Sequence, residues 1–290
     1  MKILLIGKTG QLGNDILKNN AKHEIFAPDR DELDLNNSTA IINIITKVKP
    51  QIVINTAAFH NVCLCEKEYD QALRINCLAV RDLALTCKEI GSSLITFSSD
   101  YVFNGKKMSP YFEDDTLSPL QIYGITRAAG EYIALSIAPE NTIIIRTCGL
   151  YGITGGKSKG GNFVDKRINE AKINKKIEIS CEQIVSPTYT FDLSLAVFKL
   201  IENQKLKCGI YHLVNEGMCN WYEFTKAIYK IMGLNVDLIP VNRYGLDNGM
   251  RRPLYSALAN TKAKRMGIVL PHWEDAIKRY LQEKYLSHAQ

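Results

Sequence analysis

The chain has 290 residues, 46% of them hydrophobic and 23% charged, with a formal net charge of +6. That length supports one large domain, or a main domain with a smaller one, around a substantial apolar core. The composition excludes disordered and fibrous classes, no apolar run is long enough to span a bilayer, and the opening MKILLIGKTG lacks the length and cleavage site of a secretory leader.

The first strand is expected over KILLI (2–6), and it runs straight into GKTGQLG, with Gly7, Gly10 and Gly13 spaced three and three. Glycines at such a turn let the backbone approach a pyrophosphate, which then rests on the N-terminal end of the helix starting near Gln11. A second strand, HEIFA (23–27), leads to APDRDELDL. Asp29 stands about 20 residues past the glycine turn, where a carboxylate holds the adenosine ribose of a dinucleotide, and Arg30 beside it suits a 2′-phosphate instead. NADH and NADPH therefore both remain open as cofactor.

A helix capped by Ser38 follows, then the strand QIVIN (51–55), whose continuation NTAAF brings small residues under the expected cofactor. Next come a helix from about Glu66 to Glu89 and a fourth strand, SLITF (93–97), ending in Ser98, Ser99 and Asp100. The C-terminal edge of a parallel sheet is where ligands bind. Tyr123 comes 24 residues after Ser99, and Arg127 lies one helical turn beyond it on the same face. A hydroxyl, a phenol and a cation beside a nicotinamide form a site for carbonyl reduction.

TIIIRT (142–147) is the fifth strand. Its run, like the others, is continuously apolar rather than alternating, which predicts strands buried on both faces of a doubly wound parallel sheet, an α/β Rossmann domain. After Gly152 come a lysine-bearing loop (152–162), a helix near 163–172, a strand near 177–180 and a helix near 190–203. The strand IYHLV (210–214), a helix from Trp221, a strand near 236–240 and a closing helix from Trp273 complete the chain. Residues 1–152, rejoined by about 184–209, are expected to form the dinucleotide-binding domain. The rest of 153–290 would then be a smaller C-terminal α/β substrate-binding cap, with the ligand cleft between the two.

The eight cysteines form no CxxC pair and no His/Cys finger, so no metal is expected, and the lone CxC of Cys63 and Cys65 reads as incidental. Cys77, Cys87, Cys148 and Cys208 lie among apolar neighbours as small reduced core residues, which places the chain in the cytoplasm. The mild positive charge suits an anionic small molecule as well as nucleic acid and decides nothing alone.

The glycine pattern, the paired serines before DYVF and the run YGITRAAGE resemble an extended short-chain dehydrogenase/reductase, and within it the reductases of the 4-keto group of a nucleotide-linked 6-deoxy sugar. The resemblance covers nearly the whole chain, through NF (162–163), SPTY (186–189), DL (192–193), WYEF (221–224) and RRPLYS (251–256). It implies Tyr123 as proton donor with Ser99 as its hydroxyl partner and Arg127 as the supporting cation. It also implies cofactor contacts from Gly10, Gln11, Leu12, Asp29, Asp34, Leu35, Ala57, Ala58, Tyr123 and Arg127. Ser99 and Asp100 would stand near the substrate, and Arg251 or Arg252 would take its diphosphate; Lys157 and Lys159 read rather as a solvated loop. The implied partner is a nucleotide sugar, with no nucleic acid or membrane, and a homodimer is allowed.

Two departures stand out. The family carries lysine where this chain has Arg127, and its reductases often carry tryptophan at the position of Gly149, which would enlarge or reshape the sugar pocket. Arginine supplies the same charge and a planar fork for ribose hydroxyls, but it does not release a proton readily. Two alternatives remain at this level: a nucleotide-sugar epimerase or dehydratase, and a non-catalytic nucleotide-binding regulatory subunit.

Overall fold

The apolar runs assemble into a six-stranded parallel sheet in the computed structural model, which describes residues 1–154, 161–243, 246–247 and 250–287. Its first half runs β1 (Lys2–Ile6), α1 (Gln11–Asn19), β2 (Glu24–Phe26), α2 (Ser38–Val48), β3 (Ile52–Asn55), α3 (Val62–Lys67), α4 (Tyr69–Leu73) and α5 (Ala79–Ile90). It continues with β4 (Ser93–Ser99), α6 (Ile122–Ile137) and β5 (Thr142–Thr147). The second half adds β6 (Leu150–Tyr151), α7 (Phe163–Ile173), β7 (Lys176–Ser180), β8 (Ile184–Val185), β9 (Thr188–Tyr189), α8 (Thr190–Ile201), β10 (Gly209–His212) and β11 (Cys219–Asn220). α9 (Trp221–Met232), β12 (Asp237–Val241), β13 (Leu246–Asp247), β14 (Met250–Arg251), α10 (Thr261–Arg265) and α11 (Trp273–Leu281) follow.

The main sheet has the order β10-β5-β4-β3-β1-β2, with every pairing parallel. Successive residues of a strand face opposite ways. Ile3 and Leu5 accordingly pack with Leu12, Ile16, Leu193 and Val197 of α1 and α8. Leu4 and Ile6 pack with Ile41, Ile45, Leu83 and Ala134 of α2, α5 and α6 on the other face. A third apolar cluster joins α7, α9 and α11 through Val164, Ile168, Phe224, Ile228 and Trp273, over the parallel pair β7 and β12.

Four local expectations change. β2 is an edge strand, so Glu24 and Phe26 are exposed instead of buried on both faces. The helix expected from Glu66 to Glu89 breaks into α3, α4, a π-helical turn over Arg74–Leu78, and α5. The widened turn fits the close passage of α6, because a Cβ on Gly130 would lie 2.2 Å from the Asn76 carbonyl oxygen. The cap of α2 is Asn37, whose Oδ1 accepts from Ala40 N at 3.1 Å, while the Ser38 hydroxyl donates to Asp82. All eight cysteines are free, but Cys208 is exposed, because β10 reaches the sheet from a surface turn and the Cys208 thiol donates to the Glu140 carbonyl at 3.0 Å.

Candidate active site

The glycine turn is built as its spacing predicts. Gly7 has φ +92°, its carbonyl accepts from Gly10 N at 3.0 Å, and a Cβ on Gly13 would lie 2.2 Å from that same carbonyl oxygen. The missing Cβ atoms let α1 start tightly against the end of β1, with no acidic residue and no side-chain cap in its first turn. Its free N–H groups and helix dipole suit an anion. Ala57 and Ala58 follow β3 directly, and a Cβ on Gly7 would lie 2.9 Å from the Ala57 amide nitrogen, so the two loops touch.

Around the expected ribose end, Asp29 and Arg30 are exposed, and Asp29 pairs with Lys8 of the glycine turn at 3.1 Å. Lys8 was not legible as a site residue, because its partner lies 21 residues on, in the loop after β2. Asp34 binds Asn36 through both main-chain and side-chain nitrogens at 3.0 Å, a turn that leads into the Asn37 cap. Leu12 and Leu35 are each 5% exposed and pack in the core, which leaves their main chains as the groups to meet a ligand.

At the end of β4 the serines divide. Ser98 is buried without a partner, while the Ser99 hydroxyl donates to Asp100 Oδ1 at 2.9 Å, accepts from Tyr101 N at 3.2 Å and stands beside the Tyr123 phenol. The other Asp100 oxygen accepts from the Ser256 hydroxyl at 2.6 Å. This carboxylate is buried, and desolvation raises it above the usual carboxylate value against those hydrogen bonds. Asp100 therefore braces Ser99 from behind.

Tyr123 sits in the first turn of α6, which Gln121 caps by accepting from Gly124 N at 3.0 Å. Gly124 is needed here: a Cβ would lie 2.1 Å from the Tyr101 carbonyl oxygen. The close approach sets the Tyr123 and Tyr101 rings edge to face at 6.0 Å. Desolvation pushes the Tyr123 phenol above its ordinary value near 10, with the Arg127 charge and the Ser99 hydrogen bond acting against it, so the phenol holds its proton at neutral pH.

Arg127 turns inward. It is 5% exposed, one Nη donates to the Phe97 carbonyl, and the other lies 3.5 Å from Asn76 Oδ1. The fork expected to serve ribose hydroxyls is thus directed at the protein. Asn76, on the π-helical turn, also exchanges two 2.9 Å hydrogen bonds with the main chain of Phe59 and reaches Thr126. No sequence signal singles out Asn76, since its partners are distant along the chain.

The two candidate diphosphate ligands separate. Arg252 donates to the Tyr101 hydroxyl and lies over its ring, beside Tyr123, whereas Arg251 is exposed on β14. Lys157 and Lys159 fall outside the described residues. Gly149 has φ +55°, and a Cβ there would lie 3.3 Å from the Trp221 ring, which itself packs at a tilt against Phe163 with ring centroids 4.4 Å apart. Trp221 of α9 thus packs beside Gly149. The other sequence matches to the cap serve folding: Asn162 caps α7 and Asp192 pairs with Arg279 at 2.7 Å.

A parallel sheet with a glycine turn after its first strand and a tyrosine beside a serine at its C-terminal edge defines an extended short-chain dehydrogenase/reductase. Residues 1–286 match the family model described as RmlD substrate binding domain, and the chain belongs to that family. It is 37% identical to the spore coat polysaccharide biosynthesis protein SpsK of Bacillus subtilis over 98% of both chains. It is 33% identical to the dTDP-4-dehydrorhamnose reductase of Aggregatibacter actinomycetemcomitans over 96% of this chain and 97% of that one. The crystal structure of dTDP-4-dehydrorhamnose reductase from Bacillus anthracis in complex with NADP is similar at a TM-score of 0.90 and 32% identity, covering 97% of this chain and 99% of that chain.

Proposed function

We propose that the chain is an NAD(P)H-dependent reductase of the 4-keto group of a nucleotide-linked 6-deoxy sugar, converting dTDP-4-dehydro-L-rhamnose to dTDP-L-rhamnose. The observation that carries this reading is the meeting of Tyr123, Ser99 and the buried Arg127 charge at the edge of β4. The full-length likeness to enzymes named for that reaction supports the choice of substrate. The likeness to SpsK supports a place in making cell-surface polysaccharide.

The cofactor residues fit a dinucleotide: the Gly7–Gly13 turn and the first turn of α1 take the pyrophosphate, Asp29 the adenosine ribose, and Ala57 and Ala58 leave room beneath it. When bound, NAD(P)H supplies the hydride. The protein handles the oxygen. Ser99 orients the keto oxygen, Tyr123 delivers its proton to it, and the buried Arg127 charge stabilises the phenolate that remains. At about 5 Å and an effective dielectric near 20, such a charge is worth roughly 3 kcal/mol. Asp100 holds Ser99, and Arg252 is the better placed of the two arginines for the substrate diphosphate.

Residues 1–152 are proposed as the dinucleotide half, rejoined by a segment that includes α8 and extends through β10, since α8 packs on α1 and β10 pairs with β5. The remaining residues after 152 form the cap. Free cysteines fit action in a reducing cytoplasm, and among the described residues no helix is long and apolar enough to cross a membrane. A dehydratase would need a second carboxylate beside Asp100, and Tyr101 occupies that place. The direct test is NADPH and NADH oxidation with dTDP-4-dehydro-L-rhamnose beside its UDP and GDP counterparts, with sedimentation to read out a homodimer. Oxidation with the dTDP sugar supports the proposal; cofactor binding without oxidation on any of the three sugars refutes it in favour of a regulatory subunit.

A further inference from the structure

Lys8 sits inside the glycine turn but points away from the pyrophosphate site. Its Nζ donates to the Ala27 carbonyl at 2.9 Å and lies 3.1 Å from Asp29 Oδ2, so it bridges the end of β1 to the loop after β2. Side-chain exposures of 26% for Lys8 and 62% for Asp29 place the pair at the surface, with the exposed Arg30 next in sequence. A carboxylate here accepts hydrogen bonds from ribose hydroxyls and repels a 2′-phosphate, which carries about −1.5 to −2 charges at neutral pH. Lys8 offsets that repulsion without removing the acceptor.

We propose that Lys8 is the residue that admits a 2′-phosphorylated cofactor beside Asp29, making the adenosine end serve NADPH as well as NADH; the inference rests on the cofactor reading above. An ion pair with so exposed a partner is weak, so the Lys8 ammonium can exchange Asp29 for a phosphate oxygen at little cost. Its compact charge and flexible stem suit that exchange better than the planar fork of an arginine would. With NADH, Asp29 takes the ribose and Lys8 stays on Ala27.

Calorimetric titration of the apo-protein with NADPH and with NADH tests this without any turnover. Lys8→Met, which keeps the stem and removes the charge, should weaken NADPH binding about tenfold or more while NADH changes less than about threefold, a shift in their ratio of at least about threefold or roughly 0.7 kcal/mol. Asp29→Asn should do the reverse, weakening NADH while NADPH holds or tightens. If wild type binds both cofactors and Lys8→Met leaves their ratio unchanged, the role of Lys8 is overturned and the cofactor reading stands. If wild type binds neither, the cofactor reading falls and takes this inference with it. Thermal melting of Lys8→Met at the wild-type temperature excludes misfolding, and Lys8→Arg supplies a folded, charged comparison that should keep NADPH binding.

Discussion

One Nη of Arg127 donates to the main-chain carbonyl of Phe97, so the cation that follows Tyr123 by one helical turn is anchored at the end of β4 beneath the serines. Its charge reaches the Tyr123 phenol from inside the protein. The supporting charge is thereby fixed in place and desolvated, where it interacts more strongly than at the surface.

Removing the Tyr123 hydroxyl removes the proton source without disturbing the glycine turn. Tyr123→Phe should lower turnover by at least about 10²-fold, within the range of general acid catalysis, and leave NADPH affinity within a few-fold. Stopped-flow NADPH oxidation beside equilibrium titration separates the two quantities. An unchanged rate would sink the assignment of Tyr123.

The raised phenol also predicts a pH profile. An acid must be protonated to act, and desolvation keeps Tyr123 protonated beyond its ordinary value near 10. Arg127→Lys keeps the charge and adds a group able to relay a proton to the spent phenolate. Turnover should rise severalfold at neutral pH, measured under saturating sugar and cofactor, and a fall in turnover in protein that melts normally would count against the relay.

Gly124 sets the distance between Tyr123 and Tyr101. In Gly124→Ala the new methyl would meet the Tyr101 carbonyl oxygen at 2.1 Å and the Gln121 cap at 2.6 Å, so α6 must shift at the turn that carries the phenol. A loss of about 1–3 kcal/mol in stability, as for overpacking elsewhere, should accompany a much larger loss of turnover than of cofactor binding. Urea unfolding and steady-state kinetics on the same preparation check both; wild-type kinetics would show that the contact yields.

His212 gives the fold an acid-sensitive point. It is fully buried against Arg146, and burial together with that charge pushes it down to about 3 from an ordinary 6.5. Below about pH 6.5 the unfolded chain takes up a proton that the folded chain refuses until about pH 3, so stability falls with pH across that window by up to about 1.4 kcal/mol per unit. Asp100 has a raised value and contributes the opposite sign at the acid end of the window, so the informative quantity is the difference between wild type and His212→Gln. The variant should show the shallower loss between pH 6.5 and 4.5 in urea unfolding, and parallel curves would remove His212 as the cause.

Local regularities made much of the protein legible. Continuous apolar runs pointed to buried parallel strands, the three-and-three glycines to a turn opening α1, and the four-residue step from Tyr123 to Arg127 to a shared helical face. Each depends on residues a few positions apart, which the geometry of strand, turn or helix brings together by itself. The misreadings were also local: the Asn37 cap stood one residue before Ser38, and the π-helical turn interrupted a pattern that periodicity alone carries through.

What only the folded chain decided involves partners far apart in sequence. Asn76 meets Arg127 across 51 positions, and Ser256 holds Asp100 across 156. Trp221 meets Gly149 from α9 across 72 positions. Lys8 reaches Asp29 because β1 and β2 are paired neighbours. The amino-acid sequence by itself determined the sheet, the glycine turn and the shared helical face of Tyr123 and Arg127, because these follow from short-range geometry. The direction of the arginine, the bracing of the serine and the charge at the ribose end were decided by tertiary packing, since only contact between distant segments determines which buried polar groups find partners.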